Sequence, residues 1–499
     1  MVTLPSESFL HCFLNRTGSS ETSTRLIYTP NTTSYDTILR SSIQNTRFLS
    51  AAVTKPAFIV RPAGPADVQA AVACGRGHGL RIRVRSGGHD YEGLSYVSAG
   101  GPYAILDLSN LRSVAVDADG GTAWVGAGAA VGEVYYSIAA KNRTAGFPAG
   151  TRATVGVGWQ FSGGGIGMMM RKHGTAADNI VDALMVDAKG ELLNRASMGE
   201  HLFWAIRGGG AASLGVVLYY KIRLVHVPPK VTVFSISRTL KQGATKLVER
   251  WQHVAPKLVD DLLIGAIAVA DDDDDATAPG KRTIRVTFPG MFLGRQRELL
   301  SVMNESFSEL GAEAKHCSEV SWIESAAYFA GYSDMNSTML LERRPQYKSS
   351  SFKAKSDFVR KPITEKVWKG IWRFMAEAKD EPVVMIMEPW GGRMDGIAQT
   401  AIAFPHRKGS LFNRQYYVGW IEGEEAASER HLEWMRRFHE YMSPHVSRNP
   451  RAAYLNYRDI DLGSSSEEGR TSYSQAATAW GRKYYLNNFE RLAKVKAQS

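Results

Sequence analysis

Cysteine is scarce in this chain: three in 499 residues, Cys12, Cys74 and Cys317. They allow at most one internal disulfide with one thiol left over, and the sequence by itself does not choose the pair. No run of about 18 apolar residues occurs, so no segment is expected to span a membrane. HExxH and paired CxxC spacings are missing and the twelve histidines are scattered, so zinc catalysis has no support and no metal site is assigned. The P-loop and the G-x-S-x-G elbow are absent as well. A dinucleotide fingerprint fails where Gly156 and Gly158 are followed, at the next required position, by Phe161. The first residues, MVTLPSESFLHCFLNR, lack the charged start and apolar centre of a signal peptide, and read as a mature chain with an added methionine.

What the chain has is bulk, apolar content and positive charge. At 499 residues, 44% of them hydrophobic, it is too long for one simple core, and two domains are expected. The net charge of +11 is spread along the chain rather than gathered in an arginine-rich block. That argues against a nucleic-acid partner and suits attraction to acidic cell-wall polysaccharide. Five N-x-S/T sequons, at Asn15, Asn31, Asn142, Asn304 and Asn336, point to glycosylation and a secreted protein of the cell wall or apoplast. The run Asp271 to Asp275 lies between β-prone IGAIAVA and RTIRVTF. Without the EF-hand glycine and closing glutamate it reads as a solvated hairpin tip.

From about Lys55 to Val225, β-prone AFIVRPA, RIRVRSG, AILDLSN, TAWVGAG and GVVLYYKIRLV alternate with helix-like PADVQAAVACGRGHG and VGEVYYSIAAKN. Pro228 and Pro229 then punctuate the chain. From Lys230 to about Ser443, KVTVFSIS, LLIGAIAVA, TIRVTFPGMFL, PVVMIMEPW and RQYYVGWIE alternate with longer helical segments such as RHLEWMRRFHEYM. That pattern predicts an α+β domain with a largely antiparallel sheet. An aromatic-rich tail follows from Arg448.

The chemistry is concentrated in two glycine-rich stretches. RVRSGGHDYEGLSY sets His89 among Ser86, Gly87, Gly88, Asp90 and Tyr91; AGTRATVGVGWQFSGGGIG carries Thr154, Val155, Gly156, Gly158, Gly163, Gly164 and Gly165. Glycine lets main-chain N–H groups approach phosphate oxygens with no Cβ in the way. Two such loops suit a bulky anionic cofactor held mainly by backbone, with His89 touching it.

SGGHDYEGLSY, TVGVG with FSGGG, LFWAIRGGGAASLGVV, FPHRKG and AYLNYRDIDLG run in this order along nearly the whole chain. Together they resemble the berberine-bridge-enzyme-like FAD-linked oxidases of plants, and among these the grass-pollen group 4 allergens. The resemblance implies a vanillyl-alcohol-oxidase-type (PCMH-type) FAD-binding domain, residues 1–228 plus 444–499, with an inserted antiparallel-sheet substrate domain, residues 229–443. It implies FAD bonded through His89 to the flavin 8α position, which raises the reduction potential and holds the ring in place. The family's second attachment point is a cysteine in G-x-C-P-T-V-G-V-G-G-[HN]. Arg152 stands there, so at most one covalent bond is expected, and Trp159 and Gln160 depart from the same motif. Arg152 either stabilises negative charge on the flavin or turns to solvent, and both readings stand. Val155, at the position that gates oxygen, resembles the oxygen-permissive form.

In the Y-x-N-Y-R-D motif, Asn456 and Tyr457 adjoin the flavin, Tyr457 is the expected base and Tyr454 lines the same wall. A phenol with an ordinary pKa near 10 needs a nearby cation or hydrogen-bond donor to serve at neutral pH. Gln415 holds the place where alkaloid-oxidising members carry an acid that acts as base. Glutamine takes no proton, so Gln415 and Asn413 are expected to hydrogen-bond a hydroxylated substrate. Cys12 and Cys74 align with the family's N-terminal disulfide, a loop closure of about 4 kcal/mol, leaving Cys317 a free buried thiol. The last residues, RLAKVKAQS, stop before the family's F-R-x-E-Q-S-I-P-P tail, an ending expected to weaken packing around the FAD domain.

The expected protein is a monomeric, secreted flavoprotein oxidase with a small-molecule substrate. It moves a hydride from the alcohol carbon of a carbohydrate or phenylpropanoid-type alcohol to flavin N5, and molecular oxygen takes the electrons to give H2O2. The alternative is a catalytically weak or non-redox flavoprotein in which FAD is structural and the pocket binds or shapes an intermediate.

Overall fold

β-Branched and aromatic runs build three main sheets, seen in a computed structural model that describes residues 5–18, 21–50, 53–98, 100–272, 282–343, 350–378, 382–421, 425–464 and 471–498. In the first sheet Ile27–Tyr28, Phe58–Val60, Tyr103–Asp107 and Arg81–Arg85 lie side by side, the last three parallel. YAILD is buried at every position, as a strand covered on both faces must be. Helix Pro65–Gly77 crosses between two of these strands, with proline in its first turn where a missing N–H costs nothing. Helix Pro5–Arg16 packs on it, and the Cys12–Cys74 disulfide joins the two. Cys317 is free but only half-buried, not the buried thiol expected from the sequence; its Sγ lies 3.6 Å from the Glu313 carbonyl oxygen.

The second sheet is antiparallel, in the order Val114–Asp117, Thr122–Gly126, Gly215–Arg223, Ile180–Asp187, Leu192–Leu193. The third has eight strands among the described residues, all between Val231 and Trp420. Its path is Cys317–Val320, Val231–Thr239, Arg282–Phe292, Ala266–Asp272, Val383–Pro389, Phe412–Trp420, Ser351–Val359, with Leu262–Ile264 also on Arg282–Phe292. Every pairing in it is antiparallel. Asp272 pairs with Arg282 across the acidic hairpin and Asp271 forms an ion pair with Arg285; Asp273, Asp274 and Asp275 lie outside the described residues.

Helices Ala244–Val254, Glu365–Glu377 and Glu425–Met442 cover one face of this third sheet. In the second of them Trp368, Ile371, Trp372 and Met375 recur at helical spacing and pack with Met385, Met387, Tyr416 and Val418. Because side chains alternate along a strand, Val384, Ile386 and Glu388, together with Gln415 and Tyr417, face the other way and line a cavity.

Buried charge pins three distant segments together at the edge of that cavity. Lys353 and Lys355 lie on the edge strand Ser351–Val359, both buried. Lys353 donates to Glu92 and to Asp459 Oδ1 (2.8 Å), Lys355 to Asp459 Oδ2 and Asp461 Oδ2 (2.7 Å each), and Arg47 to Glu92 (2.9 Å). Glu92 follows His89 by three residues and Asp459 follows Tyr457 by two. The network therefore holds the ends of both candidate site loops against the third sheet.

Candidate active site

A single cavity of about 1200 Å³ runs between the two glycine loops, the uncovered face of the third sheet and the Tyr454–Arg458 segment. Strand Arg81–Arg85 feeds directly into the loop bearing His89. That loop is stiffened by Asp90, whose Oδ1 accepts from the Glu92 and Leu94 amides, and by Ser86, whose Oγ donates to the Ala127 carbonyl. The second loop is held by Gly132 and Val131 amides donating to the Ala153 and Val155 carbonyls. The two loops meet backbone to backbone: a Cβ on Gly87 would overlap the Gly156 main chain, and one on Gly156 would overlap Gly87. These glycines are required first for loop-to-loop contact, and only then for any approach by a cofactor.

His89 Nε2 lies 2.9 Å from Thr154 Oγ1. Burial, and after it the Arg152 guanidinium, lower the imidazole to about 4. At neutral pH the ring is therefore uncharged and keeps a lone pair. Arg152 and Val155 both line the cavity. Trp159, a departure from the family motif, is packed in place: the Arg458 guanidinium lies 4.5 Å above its ring, and the ring edge rests against Gly210, where a side chain would crowd it. Gly163, Gly164 and Gly165, expected among the cofactor contacts, are not among the residues that line the cavity. A Cβ there would meet Asn456, Phe404 and Ala176 respectively, so close packing requires glycine at all three.

Tyr91, from the first loop itself, meets the Tyr454–Arg458 segment and the third sheet in a polar, aromatic wall. Tyr91 and Tyr457 stack with centroids 6.0 Å apart and planes 3° from parallel, and Tyr454 meets Tyr457 edge-on at 5.0 Å. Gln415 donates to the Tyr91 hydroxyl (2.8 Å). Tyr454 lines the wall as expected, but its hydroxyl is occupied, accepting from the Gly165 amide (2.8 Å) and the Asn456 amide group (2.9 Å). Asn413 does not reach the cavity surface. It is fully buried and gives its side-chain N–H to Glu388 (3.1 Å), its partner across the strand pair, so its expected role in touching substrate is not supported.

Glu388 is the site residue that sequence reasoning missed. It lines the cavity, accepts from Asn413, and takes the Tyr457 hydroxyl hydrogen at 3.3 Å. Burial raises it to about 7, against the two hydrogen bonds that favour its charged form. Tyr457 lacks the activation expected of a phenolic base: burial first, then the Glu388 charge, push it well above its ordinary value of 10. The signal available was the lone acid in VVMIMEP, in step with Val384 and Ile386 on one side of a strand.

The cavity fits a large polar cofactor. It spans both loops, and the buried Gln160 Oε1 and Asn456 Oδ1 on its wall have no hydrogen-bond partner among the described residues. A family model described as an FAD binding domain matches residues 56–195, and one described as berberine and berberine-like matches residues 453–499. The chain is 48% identical over 476 residues to tetrahydroberberine oxidase of Berberis wilsoniae, covering 95% of this chain and 88% of that protein. It superposes on a Bermuda grass isoallergen of pollen group 4 with a TM-score of 0.91 at 43% identity, covering 98% of this chain and 96% of the other. Against Phl p 4, a grass pollen allergen with glucose dehydrogenase activity, the TM-score is 0.89 at 41% identity, with 98% and 96% covered. An isoleucine-to-valine variant of that allergen is a glucose oxidase. With the motifs, the cavity and these likenesses in agreement, the chain belongs to the berberine-bridge-enzyme-like family of FAD-linked oxidoreductases.

Proposed function

We propose that this FAD-dependent oxidoreductase is a secreted oxidase of an alcohol carbon, in a carbohydrate or phenylpropanoid-type alcohol, with O2 as acceptor and H2O2 as product. The observation that carries the reading is the cluster of Tyr457, Gln415 and Tyr91, the last on the His89 loop itself, gathered on one cavity. Its hydroxyl and amide groups suit a hydroxylated substrate. Bound there, FAD supplies the hydride acceptor and the means of passing two electrons to oxygen. His89, Thr154, Gln160 and Asn456 would hold it. Were Nε2–H the donor to Thr154, Nδ1 of the neutral imidazole would keep its lone pair and would be the atom by which His89 holds the flavin. The Tyr457 hydroxyl accepts the substrate hydroxyl, and Gln415 orients Tyr91 beside it.

Val155 stands at the motif position that the resemblance gives to the oxygen gate, and an isoleucine-to-valine variant of the grass allergen is a glucose oxidase, which supports oxygen as acceptor. The disulfide supports an oxidising compartment. Asn15, Asn31, Asn304 and Asn336 are exposed and Asn142 is half-buried, which supports glycosylation. The span of the eight-stranded sheet supports a substrate unit at residues 229–443, inserted into a cofactor unit of residues 1–228 plus 444–499.

A second reading, oxidation of a cyclic amine, is favoured by Glu388: a carboxylate between tyrosine rings would attract an ammonium centre, and the barberry relative is named for such a substrate. The test is acid precipitation followed by a substrate screen. Flavin retained in the pellet, and lost on His89→Ala, establishes attachment. Peroxide release with sugars and alcohols, but not with tetrahydroisoquinoline amines, supports the first reading, and the reverse supports the second. Flavin bound but no turnover with either class overturns both.

A further inference from the structure

We propose that Glu388 is the terminal proton acceptor of the oxidation, receiving through the Tyr457 hydroxyl the proton that the substrate alcohol gives up. This rests on the alcohol reading above. The geometry supplies a two-member relay, because the Tyr457 hydroxyl already donates to Glu388 Oε2 (3.3 Å) and both groups line the cavity. A phenol whose hydrogen points at a carboxylate presents its oxygen lone pair to the substrate.

In one step the substrate O–H bond breaks and its proton moves to the Tyr457 oxygen, while the Tyr457 proton moves to Glu388. The substrate C–H bond breaks with its electron pair going to the flavin, and the C=O bond forms. Tyr457 ends as it began, and Glu388 ends neutral. When the electron pair passes to O2, the peroxide formed needs two hydrogens. One is the hydrogen that left carbon and the other is the proton stored on Glu388, which restores the carboxylate.

The surroundings suit this cycle. Tyr457 and Tyr454 face Glu388 from the C-terminal segment, Tyr91 from the first glycine loop and Asn413 from the neighbouring strand. On its other flank Leu263, Gly265 and Ile267 carry no charge. Arg152, the cation on the second glycine loop that lines the same cavity, acts on His89, Tyr91 and Tyr417. A carboxyl poised near neutrality can both take and return a proton, whereas Tyr457 held well above 10 cannot keep a negative charge.

The test is Glu388→Gln in the holoenzyme, a change that preserves shape and an oxygen for Tyr457 but removes the proton site. Anaerobic flavin reduction by the best alcohol is followed from pH 5 to 10. In the wild-type protein the rate should rise through pH 7 and level off. In the variant it should fall at least about 100-fold at pH 7, within the range of a general base, and climb with pH without levelling. KM and bound flavin should be unchanged. A second readout needs no turnover: an infrared titration of the substrate-free protein should show a protonated-carboxyl stretch disappearing near pH 7, absent in the variant. A variant with the wild-type pH profile and a rate within about threefold, or a missing infrared band, overturns the assignment. A wild-type protein that keeps its flavin but oxidises no alcohol overturns the function reading itself, and the relay with it.

Discussion

Replacing Asp459 by alanine should expose how far the site depends on the buried charge network. Asp459 and both of its lysine partners are at most 3% exposed, and each carboxylate oxygen takes one ammonium group. Removing one member of a buried ion pair costs about 3–5 kcal/mol, because the charges left behind stay out of water. Here Glu92 and Asp461 still neutralise part of the two lysines, which places the loss near the lower end, about 3 kcal/mol. Unfolding entropy of about 2.1 cal/mol/K per residue gives roughly 1 kcal/mol/K for this chain. Melting as one unit, the variant should therefore lose about 3 °C in Tm by scanning calorimetry at pH 7.

The pH dependence follows from the direction of the shift. Burial pushes Asp459 up, but Lys353 and Lys355 outweigh it and hold the carboxyl below its ordinary value of 3.8. A carboxyl depressed on folding contributes stability that is present above its unfolded value and lost as pH falls through the folded one. The gap between wild type and variant should thus be constant from about pH 5 to 8 and close below about pH 4. A fall of less than about 1 °C at pH 7, or a gap unchanged at pH 3, would refute the claim that these charges hold the site loops.

Three further outcomes can be checked on the same protein. Tyr457→Phe should slow anaerobic flavin reduction at least tenfold, about 1.4 kcal/mol of transition-state stabilisation, as read by stopped-flow absorbance; an unchanged rate removes Tyr457 from the reaction. Val155→Ile should slow reoxidation by O2 by about tenfold while leaving flavin reduction by substrate intact, measured by mixing the reduced protein with aerated buffer. Arg152→Cys in the His89→Ala background should return flavin to the acid pellet, since Arg152 stands at the second attachment point; free flavin in the supernatant would show that Trp159 or Gln160 has moved the loop out of register.

The parts of this site that the sequence disclosed are those whose chemistry is local in the chain. His89 sits within a continuous glycine motif, and the departures at Arg152, Trp159 and Gln160 fall inside another. The alternation of strands and helices after Pro229 likewise gave away the antiparallel sheet, because amphipathic period is a local property. Lys353 and Lys355 were not legible. In SFKAKSDFV two lysines alternate with apolar residues, the pattern of a strand with one wet face. They are buried because Glu92 and Asp459 arrive from 261 and 106 residues away. No spacing within the strand encodes that.

Glu388 was hidden for a related reason, and finding it changes how Gln415 is understood. Because glutamine takes no proton, Gln415 argued from the sequence against the chemistry of the alkaloid-oxidising members and for hydrogen bonding to a hydroxylated substrate. In the sheet, Gln415 lies opposite Ile386 and Asn413 opposite Glu388, so a carboxyl stands one strand over and one pleat along from the position that was inspected. Strand pairing makes these neighbouring positions on one surface, although 27 residues separate them along the chain. An acid placed there points into the same cavity, reaches the same tyrosine and is buried enough to titrate near neutrality. The chemistry open to the pocket is thus set by which groups the sheet register brings to the uncovered face, and the substitution at Gln415 does not remove a proton acceptor from that face.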